Sequence, residues 1–486
     1  MADDRKLCLA SAGNKLAYDR STVTPGIVHL GVGAFHRAHV AEYVDKILAN
    51  DPSWGIIGAS LQRPDTRNAL APQDFIYTLA SRSADNMQTR FIGSILDVLD
   101  AGTQKKELLA ALADPRIRIV TLTITEKGYC HKPTTGEIDS DHPDIKYDLA
   151  NPEDPITALG ILVRAIELRK EAGHLPFTVL CCDNLPANGV TARRVVVGMA
   201  ALRDAALASY ISQHIAFPST MVDRIVPATN DDDRKLVAQE TGLVDAWPVV
   251  TEPFTQWVIE DRFSSGRPRF EDVGAELVAD VEPYEKMKLR MLNGSHSTLA
   301  YLGYLAGFTY VSEAIACQPL RRLVYDLMSE EVMPTLPKGL ADFDKYRDKL
   351  IERFTNPALK HRTWQIAMDG TQKLPQRLLD TIRDLLSKGL PISRASLGVA
   401  AWMRYITAVD ENGKPIDVKD PHSIRLKSIA DAAHGDAAAL VEGLLSFREV
   451  FDSELAGQEV FRNILVRHVE SLLRLGSLKT AQALTD

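Results

Sequence analysis

The stretch Lys288-Leu-Arg-Met-Leu-Asn293-Gly-Ser-His296 puts an amine, an amide and an imidazole on what reads as the opening turns of an apolar helix. At roughly 100° per residue, Asn293 falls about 140° and His296 about 80° around the helix from Lys288, so all three can face one cleft. Such groups suit work on a hydroxyl or a carbonyl. A lysine half-buried among polar neighbours has its pKa drawn down until it can take and return a proton near neutral pH. An amide and an imidazole beside it can hold a developing oxyanion. The plainer reading is a solvated helix face with one core histidine, and the rest of the chain decides between the two.

A chain of 486 residues is too long for one core and suits two sizeable domains. In the first half short apolar runs alternate with helical patterns, as in βαβ units around a buried parallel sheet. The runs from Gly26 to Leu30, Trp54 to Ser60, Ile117 to Thr125 and Phe177 to Cys182 read as strands, and Lys105 to Ala113 and Ala158 to Ala172 as helices. From Pro283 onward β signals fade. Tyr284 to Leu305, Leu320 to Val332, Gln376 to Leu386 and Leu397 to Val409 carry helical periodicity, divided by turn signals such as Asn412-Gly413-Lys414-Pro415. The expectation is an α/β doubly wound domain over residues 1–282, followed by a mainly α-helical domain over residues 283–486. The crevice between two such domains is a usual place for a ligand.

A hydrophobic fraction of 45% with 25% charged residues excludes a disordered chain. The net charge of -8 argues against a general nucleic-acid surface, which needs a basic excess. The first residues, Met-Ala-Asp-Asp-Arg-Lys, lack the apolar core of a signal peptide, and no run is long enough to span a membrane, so a cytoplasmic protein is expected. Five cysteines without a CxxC pair point to neither a disulfide framework nor a zinc site, and Cys181 and Cys182 read as buried strand residues. His36 and His39 are a weak pair for a metal, and none is expected.

Ile27-Val28-His29-Leu30-Gly31-Val32-Gly33-Ala34-Phe35-His36-Arg37-Ala38-His39 is a strand, a glycine turn and a helix start, in that order. Gly31 permits the tight turn, and Gly33, Ala34 and Phe35 form the backbone that would approach a pyrophosphate. The third glycine of the usual dinucleotide fingerprint is replaced by His36. After the second strand comes Leu61-Gln62-Arg63-Pro64-Asp65-Thr66-Arg67, where Asp65 can take the adenosine ribose hydroxyls and favours NAD. Arg63 and Arg67 keep NADP open, since a guanidinium there could accept a 2'-phosphate, and a polar loop without a cofactor role is the plainer alternative.

Together with Thr123-Ile-Thr-Glu126-Lys-Gly-Tyr129, Cys182-Asp-Asn184-Leu-Pro-Ala-Asn188-Gly189 and Met221-Val-Asp223-Arg224-Ile, these motifs resemble the mannitol dehydrogenase family of polyol-specific long-chain dehydrogenases. The resemblance runs from about residue 25 to about residue 420. It implies an NAD(P)-dependent, metal-independent secondary-alcohol dehydrogenase with a Rossmann-type N-terminal domain and a helical C-terminal one, often monomeric. By the same resemblance Lys288 is the catalytic base or acid, Asn184 and Asn293 hold the reacting oxygen, and His296 binds substrate. Asp223 is a polar residue near the site, or half of a structural ion pair with Arg224, and Glu126 links the lysine to solvent.

Within the family the segment from Trp364 to Arg377 discriminates. It resembles mannitol dehydrogenases at Asp369-Gly370 and at Lys373-Leu-Pro375, but has Gln365 where they carry an arginine, and as a whole it is closer to the fructuronate (mannonate) branch. Asp245-Ala-Trp-Pro-Val-Val and the Leu61 loop are closer to the mannitol branch. A carboxylate substrate needs a cation to offset its desolvation, which Lys373 and Arg377 could supply. The reading is thus a six-carbon sugar acid, D-mannonate/D-fructuronate, ahead of D-mannitol/D-fructose. A module that binds NAD without turnover is the rival from another class.

Overall fold

The computed structural model describes residues 6–12, 15–84, 86–132 and 135–485. Residues 1–5, on which most of the signal-peptide expectation rests, lie outside them. Eleven strands form among the described residues: β1 (Pro25–Leu30), β2 (Gly55–Ser60), β3 (Tyr77–Arg82), β4 (Met87–Ile92), β5 (Ile95–Asp100), β6 (Ile119–Leu122), β7 (Thr178–Cys181), β8 (Thr220–Asp223), β9 (Val249–Thr251), β10 (Gln256–Glu260) and β11 (Glu276–Val278). By contacts the chain divides into two units, Met1–Glu282 and Pro283–Asp486.

In the first unit five parallel strands form one sheet in the order β5-β2-β1-β6-β7. β6 and β7 are buried at every position and β1 at all but its first, as parallel strands covered on both faces must be. The strand order reverses between β1 and β6, and doubly wound sheets bind ligands outside the strands' carboxyl ends at such a point. The first half is therefore the Rossmann-type domain expected.

The strand read from Ile117 to Thr125 is shorter than its apolar run: β6 ends at Leu122, and Thr125 lies at φ 63°. Trp54 belongs to a 3-10 turn, Pro52–Trp54, ahead of β2. Two small mixed sheets, β4-β3-β9 and β11-β10-β8, were not anticipated. β9 and β11 have three residues each and β4 is half-exposed, so none offers a long apolar run to the eye.

The second unit is helical. Its central helices, Ser295–Leu305 and Ser393–Tyr405, are buried nearly all round, the mark of a helix inside a bundle. They approach closely because Gly398 has no side chain: a Cβ there would stand 2.4 Å from Thr298 Oγ1. Among the described residues, three stretches within the helical pattern are π-helical, Lys288–Gly294, Leu327–Val332 and Pro375–Leu379. Beyond the segments named from the sequence the unit also has helices at Phe343–Thr355, Ser423–Ala432, Ala437–Leu445 and Glu459–Leu475, with several shorter ones. No described helix is long and apolar enough to cross a membrane.

Candidate active site

In the first unit the glycine turn follows β1 directly. Gly31 takes φ 96°, and a Cβ there would lie 2.2 Å from the Thr123 carbonyl oxygen, so the turn against β6 requires glycine. At Gly33, apart from its chain neighbours, the one atom of the described residues within 4 Å of an added Cβ is Gly31 O, at 3.9 Å. Nothing in the protein demands a missing side chain at Gly33, whereas a ligand approaching its exposed backbone would. Ala34 and Phe35 open the helix Ala34–Ala38, with the Phe35 ring stacked on His39.

His36, in the third glycine's place, is absorbed into the core. Its ring stacks on His29 with centroids 3.4 Å apart, and burial holds its pKa well below the ordinary imidazole value. His39 donates from Nε2 to the Gln256 carbonyl, 2.9 Å away. The two histidines thus pack separately, and no described group of three or more His, Cys, Asp or Glu is disposed to hold a metal. All five cysteines are free thiols, with Cys181 and Cys182 buried.

Asp65 starts the helix Asp65–Leu70, with its exposed carboxylate 3.6 Å from Arg63 Nε. Thr66 Oγ1 donates to Val32 O at 3.3 Å, which ties this loop to the glycine turn. Arg67 is engaged elsewhere, donating to Asp97 at 2.8 Å and to the Val98 carbonyl. Of the two arginines that complicate cofactor choice, one is therefore committed to β5 and the other sits beside Asp65.

Glu126 and Asn184 lie in the segments after β6 and β7, and Asp223 ends β8. Glu126 and Asn184 are exposed and Asp223 is buried. The salt bridge of its neighbour Arg224 is with Glu42, and Arg224 also donates to the carbonyls of Ala38 and Glu252. Arg224 thereby fastens the end of β8 to the helix Val40–Ile47 that follows the fingerprint.

In the second unit the geometry corrects the helical wheel. Lys288 and Asn293 are the first and sixth residues of the π-helical stretch Lys288–Gly294. A π turn closes i→i+5 hydrogen bonds, so residues five apart become neighbours on one face instead of lying well round the helix. The nine-residue motif owes its arrangement to this turn, a type that often marks functional sites. Gly294 makes the close packing possible: a Cβ there would lie 2.7 Å from Arg377 O. Arg290 pairs with Asp384 at 2.7 Å and Lys286 with the same oxygen at 3.0 Å, anchoring the stretch to the helix Asp380–Ser387.

Lys288, Asn293 and His296 are all buried. Asn293 Nδ2 and His296 Nε2 have no hydrogen-bond partner among the described residues. A buried donor left unpaired costs about 1–3 kcal/mol, and a ligand oxygen would relieve it. The His296 ring stacks on Phe354 and meets His361 edge-on with centroids 4.8 Å apart. Burial, together with the charges of His361, Arg377, Arg353 and Lys373, holds His296 far below the imidazole range. It is a neutral hydrogen-bonding group across the working pH range.

Lys373 donates to the carbonyls of Ile366 at 3.3 Å and Met368 at 2.5 Å. Arg377 donates to Ser297 Oγ at 2.9 Å, and its Nε is buried and unpaired. Neither has a carboxylate within ion-pair distance among the described residues. Burial and then the Arg377 charge lower the Lys373 pKa to about 8, and burial lowers that of Arg377 to about 10. Gln365 is exposed on the helix Thr363–Ala367. His361 was missed in the sequence, where a lone histidine in a loop carries no signal. Burial, then the Lys373 charge, lowers its pKa to about 4.

The mannitol dehydrogenase Rossmann domain matches residues 25–272, and the mannitol dehydrogenase C-terminal domain residues 280–473. The chain is 44% identical over 475 residues to the D-mannonate oxidoreductase of Escherichia coli (strain K12), covering 96% of this chain and 97% of that one. It is 43% identical over 490 residues to a mannitol 2-dehydrogenase of Aspergillus fumigatus, covering 97% and 96%. Among solved structures it resembles Pseudomonas fluorescens mannitol 2-dehydrogenase in ternary complex with NAD and D-mannitol, with a TM-score of 0.89, 38% identity and 99% of each chain covered.

Proposed function

Because this chain belongs to the mannitol dehydrogenase family, whose members are oxidoreductases acting on secondary alcohols, we propose that it is the NAD-dependent enzyme interconverting D-mannonate and D-fructuronate. The observation that carries the substrate is the pair Lys373 and Arg377, two largely buried cations whose charges repel one another; Asp369 and Asp420 act on Lys373 from farther off, and no described carboxylate stands within ion-pair distance of either cation. A substrate carboxylate would offset that repulsion through charge-assisted hydrogen bonds. Identities of 44% to a mannonate enzyme and 43% to a mannitol enzyme differ too little to choose, and leave the choice to the site. D-mannitol is the second reading, favoured by the solved ternary complex.

The residues present fit NAD. Gly31 makes the tight turn and Gly33 leaves the backbone open where a pyrophosphate would lie, and the Asp65 loop is tied to that turn. Bound NAD would supply the hydride acceptor at nicotinamide C4. The proton belongs to the protein: Lys288 takes it from the C2 hydroxyl during oxidation and returns it during reduction. Asn184 and Asn293 donate amide N–H groups to the oxygen as charge builds on it. Neutral His296 orients the substrate, Asp223 borders it, and Glu126 passes protons to solvent.

Two experiments test this reading. Purified protein should use D-mannonate at least about tenfold better than D-mannitol in kcat/KM, about 1.4 kcal/mol of discrimination. Equal or better use of mannitol would put the mannitol reading first. The preference should also fall between about pH 7 and about pH 9, because kcat/KM follows groups of the free enzyme and Lys373, with its pKa near 8, is charged below that value and neutral above it. Taking the ratio of the two substrates cancels the titration of the shared base, and Arg377 preserves a residual preference. A flat ratio would remove Lys373 from the carboxylate site.

Asp65→Ala should weaken NAD more than NADP, since it removes a ribose-hydroxyl acceptor and relieves repulsion of a 2'-phosphate. Dissociation constants for both cofactors decide it. An unchanged ratio would move the ribose contact elsewhere in the Leu61 to Arg67 loop.

A further inference from the structure

The Glu126 turn is held in a conformation its own residues disfavour. Thr125 lies at φ 63°, ψ 163°, a region occupied almost only by glycine, and a β-branched residue at positive φ is rarer still. One carboxylate accounts for it. Asp183 Oδ2 accepts from Ile124 N at 2.9 Å, Oδ1 from Thr125 N at 3.0 Å, and Oδ2 also from the Tyr129 hydroxyl at 2.7 Å. Tyr129 closes the 3-10 turn Glu126–Tyr129. A single side chain therefore captures both ends of the segment bearing Glu126.

Asp183 is also the residue next to Asn184, just beyond β7. Its carbonyl accepts from Asn188 Nδ2 at 3.0 Å. The same amide donates to Thr220 O at 2.9 Å and accepts from Thr220 N at 2.9 Å, stitching the segment to the first residue of β8. A Cβ at Gly189 would lie 2.6 Å from the backbone of Pro218 and Ser219, so the stitch needs glycine beside it. Asp183 and Asn188 thus tie together the three segments that carry Glu126, Asn184 and Asp223.

We infer that Asp183 is a positioning residue for the reaction, its carboxylate fixing the Glu126 turn against the strand end that presents Asn184. The inference rests on the roles proposed for Asn184 and Glu126. Without the carboxylate Thr125 has no reason to stay at positive φ, and the turn would relax away from Asn184.

Asp183→Asn keeps the size but turns an NH₂ group toward donors. Three hydrogen bonds to a charged acceptor are at stake, so kcat should fall about tenfold or more, while the NADH dissociation constant stays within about twofold. Adding Thr125→Gly should recover part of the lost kcat, because glycine adopts that conformation unaided. Should Asp183→Asn not fold, Tyr129→Phe removes one of the three bonds and should lower kcat about threefold with NADH binding unchanged. Normal kcat in the variant measured, a loss of kcat matched by loss of NADH binding, or no recovery with Thr125→Gly would overturn the inference. Asn184→Ala, run alongside, separates the two levels: if it too keeps normal kcat, the reading of the site fails, and if it alone loses activity, only the role of Asp183 does.

Discussion

Lys288→Ala should lower kcat by at least about a hundredfold, since positioned general acid–base groups contribute about 10²–10⁴-fold, and should leave NADH binding nearly intact. The glycine turn that fits the dinucleotide belongs to the other unit of the chain, with its own sheet and core. Deleting a buried lysine side chain from the π-helical stretch also opens room for a small primary amine, which should restore part of the rate. Near-normal turnover in the variant would remove the lysine from the mechanism. A loss of NADH binding equal to the loss of turnover would show that the change acts through the fold.

Asn293→Leu should lower kcat by about 10²–10³-fold, the usual consequence of deleting one donor to a developing oxyanion, without lowering thermal stability. The two effects separate because the Asn293 amide nitrogen is buried with no partner among the described residues. An apolar side chain of similar size removes that unsatisfied donor, so the free protein should melt at the same temperature or higher. Melting curves and initial rates on the same preparation check both. A structural asparagine would give the reverse pattern, with stability lost and turnover kept.

The legible parts of this chain are those where burial is continuous. β1, β6 and β7 are apolar because both faces are covered, and the helix Lys105–Ala113 coincides with its periodic segment. The glycine turn was readable because Gly31 meets a steric demand that no other residue satisfies. What could not be read depends on partners distant in sequence. Nothing in Lys288 to Gly294 announces a π turn, which arises where Gly294 lets the stretch close onto Arg377 and where Asp384 anchors Arg290. Likewise Ile124 and Thr125 look like more strand, and leave the sheet because Asp183, some sixty residues later, takes their amides. His36 breaks the fingerprint in sequence, and only the stacking of its ring on His29 accounts for it.

The most direct test of hydride transfer by this chain is NADH formation, followed by its near-ultraviolet absorbance, when purified protein is mixed with NAD and D-mannonate, with D-mannitol, D-arabinitol and D-sorbitol in parallel. NADH should accumulate with a sugar acid or polyol from this set, fastest with D-mannonate. Tight NADH binding with no turnover of any of the four would contradict an enzyme and leave a nucleotide-binding module in its place.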